Sequence, residues 1–229
     1  CCPQLRAIDG VNPMDESFVY ARSAGITCVC TGPGSANVLG GTFTAIKTAG
    51  TRIDDMIVKK EAAMKCAFGE NPKRCYASKC DSSRMTTAAI LREALMKARL
   101  YLQKKEAAGD DVFRQPAFDM KLEALIPVLR GQIPLKAHAH RADDILTALR
   151  IAKEFDVDIT LDHVTEGHLI VNHLVQAGKP VLVGPSFGSK SKQELKEKSF
   201  ATAGVLDNAG LEVCIITDAP VIPLYYLPL

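Results

Sequence analysis

The chain has 229 residues, 47% of them hydrophobic and 24% charged, which suits one α/β domain with a substantial core spanning residues 1–229. Its 28 basic and 26 acidic residues leave a formal charge of +2, too even a balance to draw in nucleic acid or an anionic membrane. No apolar run nears the roughly 20 residues needed to cross a bilayer, and the N-terminus lacks the basic segment and apolar core of a signal peptide, so a cytoplasmic protein is expected.

In chain order, Pro13 to Ser23 reads as a helix closed by Gly25, followed by a strand from Ile26 to Thr31. A glycine-rich loop, Gly32 to Gly41, comes next. It lacks the Lys-Ser/Thr ending of a phosphate-binding P-loop, so a turn or a flexible substrate loop is the better reading. A second strand, Met64 to Phe68, leads into Gly69-Glu70-Asn71-Pro72-Lys73. After a loop through Cys80, good helix formers run from Arg84 to Ala107, and Phe118 to Leu129 reads as another helix.

From there strand and helix alternate. The strand Leu135 to His138 precedes the helix Ala142 to Phe155, Ile159 to His163 precedes Glu166 to Ala177, and Pro180 to Gly184 precedes a loop and the helix Gln193 to Gly204. The last strand is Val213 to Thr217. Such a pattern predicts a parallel sheet of the (β/α) barrel kind, with polar strand-end residues gathered on the carboxyl rim, where barrel enzymes keep their active sites. Six strands are legible where a closed barrel has eight. The expectation is therefore an incomplete (β/α)8 barrel from a longer chain, open beside the Ile26–Thr31 strand, with the N-terminal segment or a second subunit filling the opening.

Three of those strands end in residues able to bind a metal or move a proton: His138, His163 and Asp218. Each alone has a plainer reading as a hydrogen-bonded structural residue; their order along successive strands favours a joint role. His140 is expected to point away from His138, in a supporting or surface role, and His168 and His173 to be solvated on a helix. The eight cysteines form no Cys-x-x-Cys pair and are expected to be reduced, with Cys28, Cys30, Cys66 and Cys214 packed as small hydrophobes and Cys75 and Cys80 flanking a loop. The charge run from Lys190 to Lys198 reads as a solvated helix face.

Taken together, Gly32-Pro-Gly-Ser-Ala-Asn37, Phe68-Gly-Glu-Asn-Pro-Lys73, Lys136-Ala-His-Ala-His-Arg-Ala-Asp-Asp-Ile145, Asp162-His163 and Thr217-Asp218 resemble the metal-dependent amidohydrolase superfamily, particularly its imidazolonepropionase-like branch. The resemblance implies a barrel with one or two divalent metals at the strand ends, zinc being the first expectation. It matches His138 to the metal-binding histidine of the fifth barrel strand, His163 to that of the sixth, and Asp218 to the aspartate of the eighth. Glu70 matches an acidic ligand that some members use on an earlier strand. The His-x-His of the family's first strand has no counterpart, because no histidine precedes His138.

On this footing the expected chemistry is metal-assisted hydrolysis of carbon–nitrogen bonds outside ordinary peptides in a small-molecule substrate. Asp218 would accept a proton from the attacking water, and His163 would bind metal or stabilise the oxyanion. The missing pair predicts impaired activity. Two other readings stay open: a phosphate-handling barrel using the glycine-rich loop, and a non-catalytic barrel that binds partners or forms a homo-oligomer through exposed strand edges.

Overall fold

The computed structural model describes residues 1–78 and 82–227, so Cys80 lies outside the described residues. α1 (Glu16–Ser23) starts where the Asp15 carboxylate accepts the Ser17 N–H. β1 (Cys28–Thr31) and β2 (Leu39–Lys47) then pair antiparallel; α2 (Ile53–Met56) is a single turn that leads into β3 (Ile57–Ala67), antiparallel to β2. α3 (Glu70–Tyr76) and α4 (Arg84–Ala108) follow, the latter capped by the Ser83 hydroxyl accepting from the Thr86 N–H. α5 (Met120–Glu123) and α6 (Ile126–Leu129) lead to β4 (Leu135–Ala139), α7 (Ala142–Phe155), β5 (Ile159–His163), α8 (Val171–Ala177), β6 (Val181–Val183), α9 (Ala201–Asn208) and β7 (Val213–Ile215).

Seven strands form one sheet in sequence order, and every pair from β3 to β7 is parallel. This is an incomplete (β/α)8-type barrel: β1 and β7 are the outer strands and do not pair with each other. All six expected strands are present. The seventh, β2, takes in the last three residues of the expected glycine-rich loop, because Gly40 and Gly41 mask an otherwise apolar strand. Gly41 adopts φ +115, and a Cβ there would lie 2.3 Å from the Leu5 carbonyl oxygen. That close approach lets the N-terminal segment run along β2, with Cys2 N–H donating to Leu39 O and Thr42 N–H to Leu5 O, both at 2.9 Å. The N-terminal segment thus pairs with β2 instead of filling the opening beside β1.

Three expected helices are broken. Pro127, which has no N–H to donate and favours a first helical turn, starts α6 afresh within the expected Phe118–Leu129 helix. The expected Gln193–Gly204 helix is a 3₁₀ turn, Gln193–Leu195, and then α9. The Glu166–Ala177 helix likewise divides into a 3₁₀ turn, Gly167–Leu169, and α8.

The two-residue period of the strands sorts side chains between two environments. On β4, Leu135, Ala137 and Ala139 join Met64 and Cys66 of β3, Ile159 and Leu161 of β5, and Val181 and Val183 of β6 in the core beneath α4 and α7. Each large side chain fully buried there, such as Leu135, Ile159 or Ile151, contributes about 1.5–3 kcal/mol. The alternate positions, Lys65, Lys136, His138 and Asp162, stand on the opposite face, inside the barrel. There the Asp162 carboxylate accepts from Lys65 Nζ at 2.9 Å and Lys136 Nζ at 2.6 Å, and both ammoniums lie 5.4–5.5 Å from the Phe43 ring centroid.

Cysteine placement corrects part of the expectation. Cys66 is buried, and burial pushes its thiol up to about 12. Cys28, Cys30 and Cys214 sit on the outer strands and are exposed, because no neighbouring strand covers them.

Candidate metal centre

Three histidines converge at the carboxyl ends of β4 and β5. His138, His140 and His163 each offer a ring nitrogen, these atoms lie within 4.8 Å of one another, and all three side chains are buried. The His140 and His163 rings stack with centroids 4.5 Å apart, and His138 meets both edge-on. The expectation that His140 points away is wrong, because positions i and i+2 of a strand share a face and Lys136, His138 and His140 all follow that period.

His163 reaches the cluster differently. Strand alternation would direct it with Ile159 and Leu161 toward the helices. Its backbone instead takes φ 74, followed by φ 47 at Val164, and Val164 becomes the fully buried core residue. Left-handed backbone at two consecutive side-chain-bearing residues, one of them β-branched, costs on the order of 1–3 kcal/mol each. The neighbouring backbone holds the turn: Val164 N–H donates to Ala139 O and Glu166 N–H to His140 O.

Hydrogen bonds set the imidazoles. Gly184 O can only accept, so His163 Nδ1–H donates to it at 2.6 Å and leaves Nε2 with a free lone pair. Gly184 has φ 134, and a Cβ there would lie 2.1 Å from Ile216 O, so glycine is required where the backbone just after β7 lies against it. Asn71 Nδ2, 3.2 Å from His138 Nε2, can only donate, which fixes the His138 proton on Nδ1. Asn71 is itself held by Lys192 Nζ, which donates to its Oδ1 at 2.6 Å, and by Ser35 Oγ at 2.7 Å. His140 Nδ1 pairs with Thr165 Oγ1 at 2.8 Å.

Burial keeps these rings neutral. It drives His138 well below the ordinary histidine range, with His163 and His140 adding to the effect, and drives His140 down to about 2. His163 is also lowered by burial, while Asp162 and then Asp218 pull it back up. Neutral imidazole is the form that binds a metal.

The other sequence candidates stand apart from this group. Asp218, with φ 51, follows β7 and is exposed; it lies near enough to act on His163 through its charge but outside the cluster of ligand atoms. Glu70 is half-buried at the start of α3 and is likewise outside the cluster. His173 is exposed as expected, but His168 is half-buried and pairs through Nδ1 with Thr202 Oγ1.

One residue in the expected charged helix face is not at the surface at all. Glu194 is fully buried in the 3₁₀ turn after β6. Its Oε2 accepts the Glu70 N–H at 2.9 Å, while Oε1 has no hydrogen bond among the described residues and faces His140 Nε2 at 3.9 Å and Lys192 Nζ at 3.7 Å. Burial first, and then the charges of Glu70 and Asp144, push the carboxyl up against the pull of the Glu70 N–H and Lys192.

No protein-family model matches the chain. A crystal structure of an amidohydrolase from Thermotoga maritima MSB8 superposes with a TM-score of 0.95 at 41% sequence identity, over 98% of this chain and 59% of that one. The chain is thus similar to an amidohydrolase in both fold and sequence along nearly its whole length. A curated amidohydrolase, tasK of Hapsidospora irregularis, is 28% identical over 245 aligned residues, 96% of this chain and 25% of its own length. The chain therefore spans about a quarter of that relative and less than two thirds of the Thermotoga amidohydrolase. Among the described residues, no helix is long and apolar enough to cross a membrane.

Proposed function

We propose that this chain carries the metal-holding rim of a hydrolase that cleaves carbon–nitrogen bonds other than ordinary peptide bonds, in cyclic or linear amides of small molecules. The observation that supports it is the cluster of three buried, neutral histidines at the carboxyl ends of neighbouring parallel strands, in a fold shared with amidohydrolases. The donor set fits a divalent ion of the zinc kind: imidazole nitrogens gather within reach of one another, and the His163 Nε2 lone pair is free of protein partners. Such an ion, when bound, supplies a Lewis acid for the substrate carbonyl and acidifies a water at its open position.

The chain's own residues do the rest. His163 would hold the ion through Nε2, oriented by the Gly184 carbonyl on its Nδ1, and His138 would join it through Nε2 in place of the Asn71 amide that now occupies that nitrogen. Asp218, exposed on the same rim, takes the proton from the attacking water and returns it to the departing nitrogen. Lys192 and Asn71 stand at the edge of the cluster and can bind polar substrate groups. The free cysteines, with no disulfide among the described residues, fit a reducing compartment such as the cytoplasm.

The test is hydrolysis of a panel of N-acyl amino acids, cyclic amides and dipeptides, with and without added Zn²⁺. Slow turnover that requires the metal is expected, falling about 10²–10⁴-fold in Asp218→Asn. Turnover indifferent to chelation, or unchanged in Asp218→Asn, would overturn the reading.

A further inference from the structure

Glu194 is an unusual carboxylate. It belongs to a lysine-rich run, yet no part of it reaches solvent, and one of its two oxygens has no hydrogen-bond partner among the described residues. Leaving a buried acceptor unsatisfied is costly, so such a group calls for a reason. The oxygen that is satisfied, Oε2, is held by the Glu70 backbone N–H, which fixes the carboxylate and aims Oε1 at the histidine cluster. Gly69 permits this fit, since a Cβ at that position would lie 2.7 Å from Oε2.

The facing nitrogen, His140 Nε2, is free for a ligand because His140 is anchored through Nδ1 to Thr165. The 3.9 Å between Nε2 and Oε1 is too long for a direct hydrogen bond. It is short for a bridging water, whose two legs of about 2.8 Å would set the atoms roughly 4.5 Å apart. Two bonds of about 2.1 Å to a single cation at the tetrahedral angle separate their donor atoms by roughly 3.4 Å, so an approach of about half an ångström would bring Oε1 and Nε2 onto one ion. Lys192 Nζ, 3.7 Å from Oε1, is already donating to Asn71 Oδ1.

We propose that Glu194, through Oε1, is the carboxylate ligand of the divalent cation at this rim, acting with His140, and that it takes the place the family resemblance offered to Glu70. The inference rests on the metal-dependent reading above. The Glu70 side chain is dispensable in it; what Glu70 contributes is the backbone N–H that orients Glu194.

The experiment measures Zn²⁺ affinity by titration calorimetry, the visible spectrum of the Co²⁺-loaded chain, and the thermal midpoint in chelator, for the full chain and for Glu194→Gln, Glu70→Gln and His140→Gln. Glu194→Gln should weaken Zn²⁺ binding by at least about 10- to 100-fold and change the Co²⁺ spectrum. The chelated variant should melt no lower than the parent, because the amide can accept from Glu70 N–H and donate to His140 Nε2. Glu70→Gln should bind as the parent does. Parental affinity in Glu194→Gln, or a loss confined to Glu70→Gln, would overturn the assignment while leaving a metal centre in place. His140→Gln approaches the same position from the opposite side, so should Glu194→Gln not fold, parental affinity in His140→Gln would overturn it as well. Failure of the parent chain to bind either metal would instead remove the metal-dependent function itself.

Discussion

Replacing Asp162 by asparagine is the most exacting test of the barrel interior. The Asp162 side chain is 4% exposed and lies between the ammoniums of Lys65 and Lys136, themselves 6% and 11% exposed. Two buried positive charges therefore share one negative charge, and removal of that charge strands both. Breaking a buried pair costs about 3–5 kcal/mol, against roughly 5–15 kcal/mol for the whole fold. At a urea m-value of about 2 kcal/mol/M, the midpoint should fall by roughly 1.5–2.5 M. Lys65→Met is the informative companion, because it leaves one ammonium with one carboxylate and should cost less than about 1.5 kcal/mol. The pH dependence carries the same sign. Burial alone would raise Asp162, but Lys65 and Lys136 outweigh it and hold the carboxyl below its ordinary range. Its stabilisation is thus present above the unfolded value of about 3.9 and is lost as pH falls through the lower folded value, so parent and variant curves should converge in strong acid. A loss below about 1 kcal/mol in Asp162→Asn, the range of an exposed pair, would refute the reasoning. So would a Lys65→Met loss equal to that of Asp162→Asn.

The chelated chain should lose stability as pH drops below about 6.5, by up to on the order of 1.4 kcal/mol per pH unit for each of His138 and His140, with His163 adding in the same direction, since the unfolded chain binds protons the folded rings refuse. Thermal melts between pH 8 and 5.5 check this, and a flat profile would contradict it. Gly184→Ala should destabilise the fold by about 2 kcal/mol or more, because its Cβ would lie 2.1 Å from Ile216 O, and should also shift the His163 ring resonances by moving the carbonyl that holds Nδ1. Unaltered His163 resonances in a folded Gly184→Ala would show that the carbonyl does not orient the ring.

The alternating part of the fold was the most legible, for a physical reason. From Leu135 onward the strands are short and apolar, and β4 is followed by a helix with clear end signals; β5 and α7 run over the expected residues, and β4 extends one residue further. Earlier in the chain the local signal fails. β2 begins with Leu-Gly-Gly, and its glycines exist because the N-terminal backbone lies against Gly41, a contact made by residues far away in sequence. The exposure of Cys28, Cys30 and Cys214 is likewise a property of sheet order, since the same apolar runs in an inner strand would have buried them.

The site shows the same limit more sharply. His138 followed from its strand, and His140 was available from the same period, because two residues along a strand return to one face. His163 joins them only by departing from that period: the left-handed backbone at His163 and Val164 exchanges the two side chains, sending valine to the core and imidazole to the rim. Strain of this kind is invisible in composition or alternation and is sustained by the surrounding contacts, here Ala139 O, His140 O and Gly184 O. Glu194 lies at the far end of the scale. Its neighbours Lys190, Lys192, Lys196 and Lys198 give every local sign of a solvated face, and its burial arises only when the loop after β6 folds onto the Gly69–Glu70 backbone. The one local hint is Gly69, whose missing side chain leaves room for the carboxylate. A residue whose environment is made entirely by distant segments can be found only from the assembled barrel, and there its unpaired oxygen, facing His140, marks it out.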